Sequence, residues 1–303
     1  MVDNVLSAGS RSNLLSLRET SRLQDRTQDR LATGRAVSSV VDDALKFLGS
    51  KALSDRASDL LARKDGIDQD ISALRVATEA TDSVENLLNQ TKGLLQSARS
   101  AGPEAREAIA SQIGTLSVQI NNLVNDASFQ GRNLLNSTES GLQTSLSDRP
   151  DSVLETGSVD LTSESLFVDE SGTALGAVAG TSKSATDAFL NKLGLSKSLE
   201  DYESGSAELN ADIDTALANL DSTIDSVRSQ AESFGSSVSI LEVRSDFARN
   251  TANILEEGSD KLTLADLNEE AANSLALQTR QQLATQSLSL SGRSESAILA
   301  LFG

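Results

Sequence analysis

Cysteine, histidine and tryptophan are all missing from this 303-residue chain. Without cysteine there is no disulfide and no thiol chemistry, and without either ligand type the usual Cys/His zinc sites are excluded. The same absences remove Ser–His–Asp and Cys–His nucleophile arrangements and the H-E-x-x-H metallopeptidase motif. Proline occurs twice and aromatics make up 3% of residues, with one tyrosine and seven phenylalanines. Compact cores lean on aromatics for buried area, whereas chains built from long helices use Ala, Leu, Ile and Val in seams. No stretch approaches the roughly 18 apolar residues of a membrane span. The N-terminus, MVDNVLSAGSRSNLLSLRE, lacks the apolar core of roughly 7–15 residues that marks a cleaved secretory signal, so any export is expected to use another route. Basic excess is missing too. The net charge of −18 argues against a nucleic-acid partner, since that binding is driven by basic patches.

The charge is uneven. Residues 139–214 hold fifteen acids against four bases, whereas residues 1–60 hold eight acids and nine bases. A solvated middle and near-neutral ends are expected. Over residues 44–100, Leu53, Leu60, Ile67, Leu74, Thr81, Leu88 and Leu95 fall seven apart, flanked by Ala52, Ala73, Ala80, Leu87 and Leu94. A seven-residue apolar repeat is a coiled-coil seam, here on a helix of roughly 85 Å. Gly102-Pro103 ends it, and a second seam follows through Ile109, Ile113, Leu116, Ile120, Leu123 and Ala127, which a short connection turns back antiparallel. A third runs from Leu209 through Ile213, Ala216, Leu220, Ile224, Val227, Phe234 and Leu241 to Leu255. These residues are assigned to core packing within one chain.

Between the second and third seams the periodicity collapses. Residues 132–182 are rich in Ser, Thr, Gly and Asp, with β-leaning pieces at SLFV (165–168) and GAVAG (176–180), and a short helix is expected at 184–193, stopped by Gly194. The fold class is therefore mainly α: a long antiparallel coiled-coil rod formed by the N- and C-terminal segments, with a small β-containing or irregular insertion. Weak amphipathic stretches close both ends. Leu14, Leu15, Leu17, Leu23 and Leu31 mark the first, and Ala276, Leu277, Leu283, Ala284, Leu288, Leu290, Ala297 and Ile298 the last. Neither end has the apolar area to offset an ordering entropy of about 1–2 kcal/mol per residue, so both are expected to fray alone and to fold on partners.

Three stretches carry a family resemblance. RLATGRAVSSVVDDA (30–44) resembles an R-L-x-x-G followed by an acidic pair, here Asp42 and Asp43. DASFQGRNLLNST (126–138) resembles a turn into a first β-hairpin. LADLNEEAANSLALQTRQQLATQSLSLS (264–291), with the terminal Leu301-Phe302, resembles a C-terminal signature. Together they resemble bacterial flagellin over roughly 1–135 and 206–303. The resemblance implies inner-core terminal helices over 1–43 and 260–303, a coiled-coil rod with a hairpin over 44–135 and 206–259, and a surface insertion over 136–205. It implies a filament subunit for swimming motility that assembles through Leu14, Leu17, Leu31, Leu277, Leu283, Leu288, Leu290, Ile298, Leu301 and Phe302. It also implies an extracellular location reached without a cleaved signal, no cofactor, and no membrane or nucleic-acid partner. Copies of the chain, hook-associated and cap proteins, the export machinery and its chaperone are the implied partners. Gly34 and Ser38-Ser39 would let the chain change direction between inner helix and rod.

The family's innate-receptor segment, Q-R-x-R-E-L, aligns with NQTKGLLQSA (89–98). Gln90 and Lys92 stand in place of arginines and Gly93 in place of glutamate, which removes bidentate contacts and implies a weak receptor ligand. Two other readings share parts of the pattern: a hook–filament junction protein, and a secreted coiled-coil adhesin. Carboxylate pairs such as Asp42-Asp43 and Asp169-Glu170 are read as solvated charge or helix caps rather than catalysts.

Overall fold

The computed structural model describes residues 8–138, 141–147, 149, 151–162, 165–166 and 183–302. Its elements are α1 (Ala8–Thr33), α2 (Ala44–Ala98), α3 (Pro103–Asp126), β1 (Ser128–Phe129), β2 (Arg132–Asn133), β3 (Leu142–Ser145), β4 (Val153–Thr156), α4 (Lys183–Lys192), α5 (Ala207–Thr263) and α6 (Leu267–Phe302), with a 3-10 turn at Leu199–Asp201. The fold is mainly α with two small antiparallel hairpins. Two compact units divide the chain, one of residues 1–58 and 251–303 and one of residues 59–250, so that the chain passes between them inside α2 and again inside α5.

In the terminal unit, α1 packs along α6. Gly34 ends α1 at φ +68°, a left-handed conformation that glycine adopts without a Cβ penalty. The turn after it is tied by backbone to the turn before α6. Ala36 and Val37 N–H both donate to Thr263 O, at 2.7 and 3.2 Å, and Ala265 N–H donates to Gly34 O at 2.9 Å. Ser38 and Ser39 each give an N–H and a hydroxyl to Asp42 Oδ2, at 3.0–3.1 Å. Asp43 Oδ1 then accepts from Lys46 N–H at 3.0 Å, capping the start of α2. The acidic pair is therefore turn and cap. Asp266 does the same for α6, accepting from Asn268 and Glu269 N–H. In this unit α2 and α5 approach closely through small residues: Ser50 and Ser259 hydroxyls share a 2.8 Å hydrogen bond. The methyl of Leu262 reaches the open side of Gly49 and that of Leu53 reaches Gly258.

In the larger unit the heptad positions Ile67, Leu74, Thr81, Leu88 and Leu95 of α2 are buried, and so is a second row at Ala77, Val84, Thr91 and Ala98. On α5 the buried positions Ile213, Leu220, Val227, Phe234 and Leu241 again fall seven apart. The same spacing governs the ion pairs flanking the seam. Glu85, Lys92 and Arg99 on α2 meet Arg228, Asp221 and Asp214 on α5, which sets the two helices antiparallel. Ile113, Ile120 and Val124 of α3 join the same core. Gly102 and Pro103 start α3 at the N-cap and first helical positions. Its end is closed by Asn133, whose Nδ2 donates to Val124 O (2.7 Å) and Asn125 O (3.2 Å), satisfying carbonyls left open at the helix terminus. Between them lies the β1–β2 turn, with Gln130 at φ 52° and Gly131 at φ 80°, the two positive angles of a type I′ hairpin.

The second hairpin falls earlier in the chain than the sequence suggests. β3 pairs with β4 from Leu142↔Thr156 to Ser145↔Val153. It is pinned to the helices by Thr144 Oγ1 donating to Asp70 Oδ2 (2.7 Å) and by Arg63 Nη1 donating to Ser147 O (2.9 Å). Of the expected strand SLFV, Ser165 and Leu166 form a turn on Thr162 O. Residues 167–168, GAVAG and the pair Asp169-Glu170 lie outside the described residues. α4 ends as expected at Gly194, φ +107°. Leu195 N–H reaches Leu190 O and Gly194 N–H reaches Asn191 O, a Schellman closure.

Candidate assembly surfaces

The two ends differ from the larger unit in how well they are sealed. On α6 the residues turned toward α1 are Glu270, Ser274, Leu277, Gln281, Ala284 and Leu288, alternately four and three apart. On α1 the matching face is Leu14, Leu17, Thr20, Gln24, Thr27 and Leu31. Among these apolar residues only Leu277 is buried, at 8% exposure; Leu14, Leu17, Leu31 and Leu288 are half-buried. The seam is as much hydroxyl and amide as leucine. Among the described residues one ion pair crosses it, Arg30 Nη1 to Glu270 Oε1 at 2.8 Å, and Gln24 Oε1 and Arg30 Nε are buried in it without a described hydrogen-bond partner.

Opposite that seam both helices carry leucines into solvent. Leu15 is 67% exposed on α1, with Leu23 beyond it; Leu275, Leu283 and Leu290 line the outside of α6, Leu290 at 70%. The residues assigned to assembly from sequence are thus split. Leu14, Leu17, Leu31, Leu277 and Leu288 face inward, while Leu283 and Leu290 face out. The side chains of Ile298, Leu301 and Phe302 lie outside the described ones. Among the described side chains, the two end helices cover each other on one side.

Further apolar exposure was not picked out by periodicity. Val41 (94% exposed), Leu45 and Leu48 stand out at the start of α2. In the larger unit Ile240, Val243 and Phe247 (61%) line the side of α5 away from its seam. Their spacing of three and four was the available signal, obscured by the stronger seam on the same helix. Of the seam residues, Leu53 and Leu60 of α2, Ile109, Leu116 and Leu123 of α3 and Leu255 of α5 are half-buried. Ile67, Leu74, Leu88, Leu95, Ile113, Ile120, Leu220, Val227, Phe234 and Leu241 are buried. At the aligned receptor segment, Gln90 and Gly93 are exposed or border solvent, and Lys92 is committed to Asp221 across the helix pair. Gln90 and Gly93 line a shallow groove of about 480 Å³ with Leu94, Gln112 and Leu116.

One polar cluster of the larger unit surrounds the single tyrosine. Tyr202 OH donates to Asp212 Oδ2 (2.5 Å) and accepts from Ser196 and Lys197 N–H, both at 3.1 Å. Hydrogen bonds from Ser196 and then Tyr202 hold the Asp212 carboxyl below the usual carboxylate range, while burial and the neighbouring carboxylate push the tyrosine up. Arg106, fully buried on α3, donates through Nη2 to Tyr202 O at 2.6 Å. This cluster closes the loop between α4 and α5.

A packed helical core, paired ends with a leaky seam, and leucines turned outward on both end helices are what a subunit completed by assembly would present. Several known proteins are similar. Residues 6–140 match the model of the bacterial flagellin N-terminal helical region. Flagellin C of Rhizobium meliloti is 27% identical over 84% of this chain and 85% of its own. Flagellin FljO of Caulobacter vibrioides is 26% identical over 97% of this chain and 96% of its own. A crystal structure of Bacillus cereus flagellin is similar with a TM-score of 0.44 and 17% identity, covering 60% of this chain and 88% of that one. This chain is similar to the bacterial flagellins over its N-terminal helical region and, at lower identity, over most of its length, a likeness that supports a structural subunit of the flagellar filament.

Proposed function

We propose that the chain polymerises through its end helices, with residues 1–43 and 260–303 as the inner core, 44–135 and 206–259 as the coiled coil outside it, and 136–205 as the solvent-facing insertion. The observation that carries this reading is the α1/α6 pair, packed loosely on one face and carrying bare leucines on the other. A head-to-tail contact that does not close generates a helical filament. Covering leucines such as Leu283 and Leu290 in a neighbour contributes about 1.5–3 kcal/mol each when burial is complete. Leu14, Leu17, Leu31, Leu277 and Leu288 act indirectly in this reading, by holding the pair in register.

The role is mechanical rather than catalytic. Hook-associated and cap proteins meet the same end helices, and the export machinery with its chaperone receives the chain without a cleaved signal. Gln90, the committed Lys92 and Gly93 make a weak innate-receptor ligand. Deleting residues 274–303 tests the core of the proposal: the expected product is a monomer with the α2–α3–α5 helical signal intact that no longer sediments as polymer on filament seeds. Normal polymer from the truncated chain would refute it.

A further inference from the structure

α1 carries a charge pattern that the intramolecular fold leaves almost unused. Five arginines lie on it, Arg11, Arg18, Arg22, Arg26 and Arg30, against Glu19, Asp25 and Asp29, in a chain whose net charge is −18. Among the described residues only Arg30 of these pairs, with Glu270. The other four are exposed and make no ion pair among the described residues, not even with the carboxylates of their own helix. At 3.6 residues per turn, Arg11, Arg18 and Arg22 fall within roughly 40° of one another, with Arg26 at the edge of the stripe. That line is opposite Thr20, Gln24 and Leu31, so it points directly away from α6 and runs beside the exposed Leu15.

The complementary charge sits in the other half of the same unit. Residues 1–58 hold nine bases and seven acids, whereas residues 251–303 hold three bases and seven acids. Within the latter, Glu256, Asp260 and Glu269 are exposed and form no ion pair among the described residues. Glu256 and Asp260 are four apart on α5, the spacing of Arg18 and Arg22 on α1, so two pairs can form at once. Positive on one strand of the unit and negative on the other is the arrangement a head-to-tail contact uses, since each copy offers one sign forward and the opposite sign back.

We propose that the arginine stripe Arg11–Arg18–Arg22–Arg26 of one copy docks on the acidic stretch around Glu256 and Asp260 of a second copy. The contact makes filament growth dependent on ionic strength and fixes the register in which the bare leucines meet. It rests on the filament-subunit reading and adds to it which charges select the neighbour.

The test measures the critical concentration for growth on wild-type seeds, by sedimentation, from low salt to about 0.5 M, where the Debye length drops below 5 Å. Wild type should lose affinity steadily with salt, and Arg18→Ala/Arg22→Ala should respond less. At low salt Arg18→Glu/Arg22→Glu should raise the critical concentration roughly tenfold, because two attractions become repulsions. Adding Glu256→Lys/Asp260→Lys to the same chain should bring it back to within roughly threefold of wild type. Circular dichroism of each monomer checks that helix content is unchanged, and the salt response of the unmodified chain needs no variant to fold. A salt-insensitive wild type overturns the proposal. So does a reversal that the added lysines fail to rescue, since that places the stripe's partner elsewhere, on another surface or on a polyanion. Both results leave polymerisation itself standing. No growth of wild type on seeds under any salt overturns the filament reading and this contact with it.

Discussion

Gly114 lies on the inner face of α3, where a Cβ would run into Thr186 Oγ1 and sit 3.2–3.3 Å from Thr186 Cβ and Cγ2. Gly93, in the interior of α2, would place a Cβ in open space. Replacing either with alanine gives the same helix-propensity gain, about 1 kcal/mol. At Gly93 nothing opposes it, so Gly93→Ala should raise the unfolding midpoint by roughly 2–4 °C for a unit of this size. At Gly114 the buried Thr186 must move, and α4 with it; overpacking of this kind costs about 1–3 kcal/mol. The net result should be a loss of up to about 2 kcal/mol, opposite in sign to the first variant. Thr186→Ala removes Oγ1 and Cγ2 and leaves only Cβ, at 3.2 Å, so Gly114→Ala/Thr186→Ala should recover about 1 kcal/mol relative to the sum of the single changes, roughly the coupling expected of residues in contact. The assay is thermal and urea unfolding followed by circular dichroism, with Tyr202 emission as a local report on the segment after α4. If Gly114→Ala stabilises the chain as much as Gly93→Ala does, α4 is not seated on α3 as described.

Other outcomes are equally specific. Because Tyr202 is the one tyrosine, an ultraviolet titration reads it alone, and its midpoint should lie above that of free tyrosine; Asp212→Asn should bring it down. The lowered pKa of Asp212 contributes stability that is present above the unfolded carboxylate value, about 3.9, and is lost as pH falls through the folded value; Asp212→Asn should flatten that acid limb in unfolding curves. The raised tyrosine has the opposite window, with its contribution present below about pH 10 and lost as pH climbs past the folded value. Leu88→Ala should destabilise the monomer by about 2–5 kcal/mol in urea, whereas Leu283→Ala/Leu290→Ala should leave the monomer within about 0.5 kcal/mol per site and impair polymer yield on seeds. In a receptor reporter assay the wild-type chain should be weak, and full potency would contradict the reading of Gln90, Lys92 and Gly93.

The heptad rows were legible because leucine and isoleucine rarely hold a sevenfold spacing over many turns unless a helix buries them along one seam. Their partners were harder to see. Ala77, Val84, Thr91 and Ala98 complete the α2 seam but are small or polar, and nothing in their identity separates them from surface residues. Arg106 is fully buried against type, since its placement depends on a carbonyl 96 positions away. The strands LQTS and VLET alternate too weakly, and over too few residues, to stand out from the turns around them. At the ends, the sequence shows that α6 has leucines nearly all round. Which of them face α1 depends on the polar residues α1 offers, such as Thr20 and Gln24, and those carry no periodic mark of their own. Gly34 and the Asp42-Asp43 pair, by contrast, could be read as a change of direction and a cap, because both roles are backbone chemistry local to the residues concerned.

The backbone knot of Gly34, Ala36 and Val37 with Thr263 and Ala265 has a mechanical consequence. The first and last helices leave from a shared turn, held by three peptide hydrogen bonds at the end opposite their free tips. Peeling them from those tips opens the side-chain seam first and reaches the backbone knot last, so that turn should be the last part of the pair to give way.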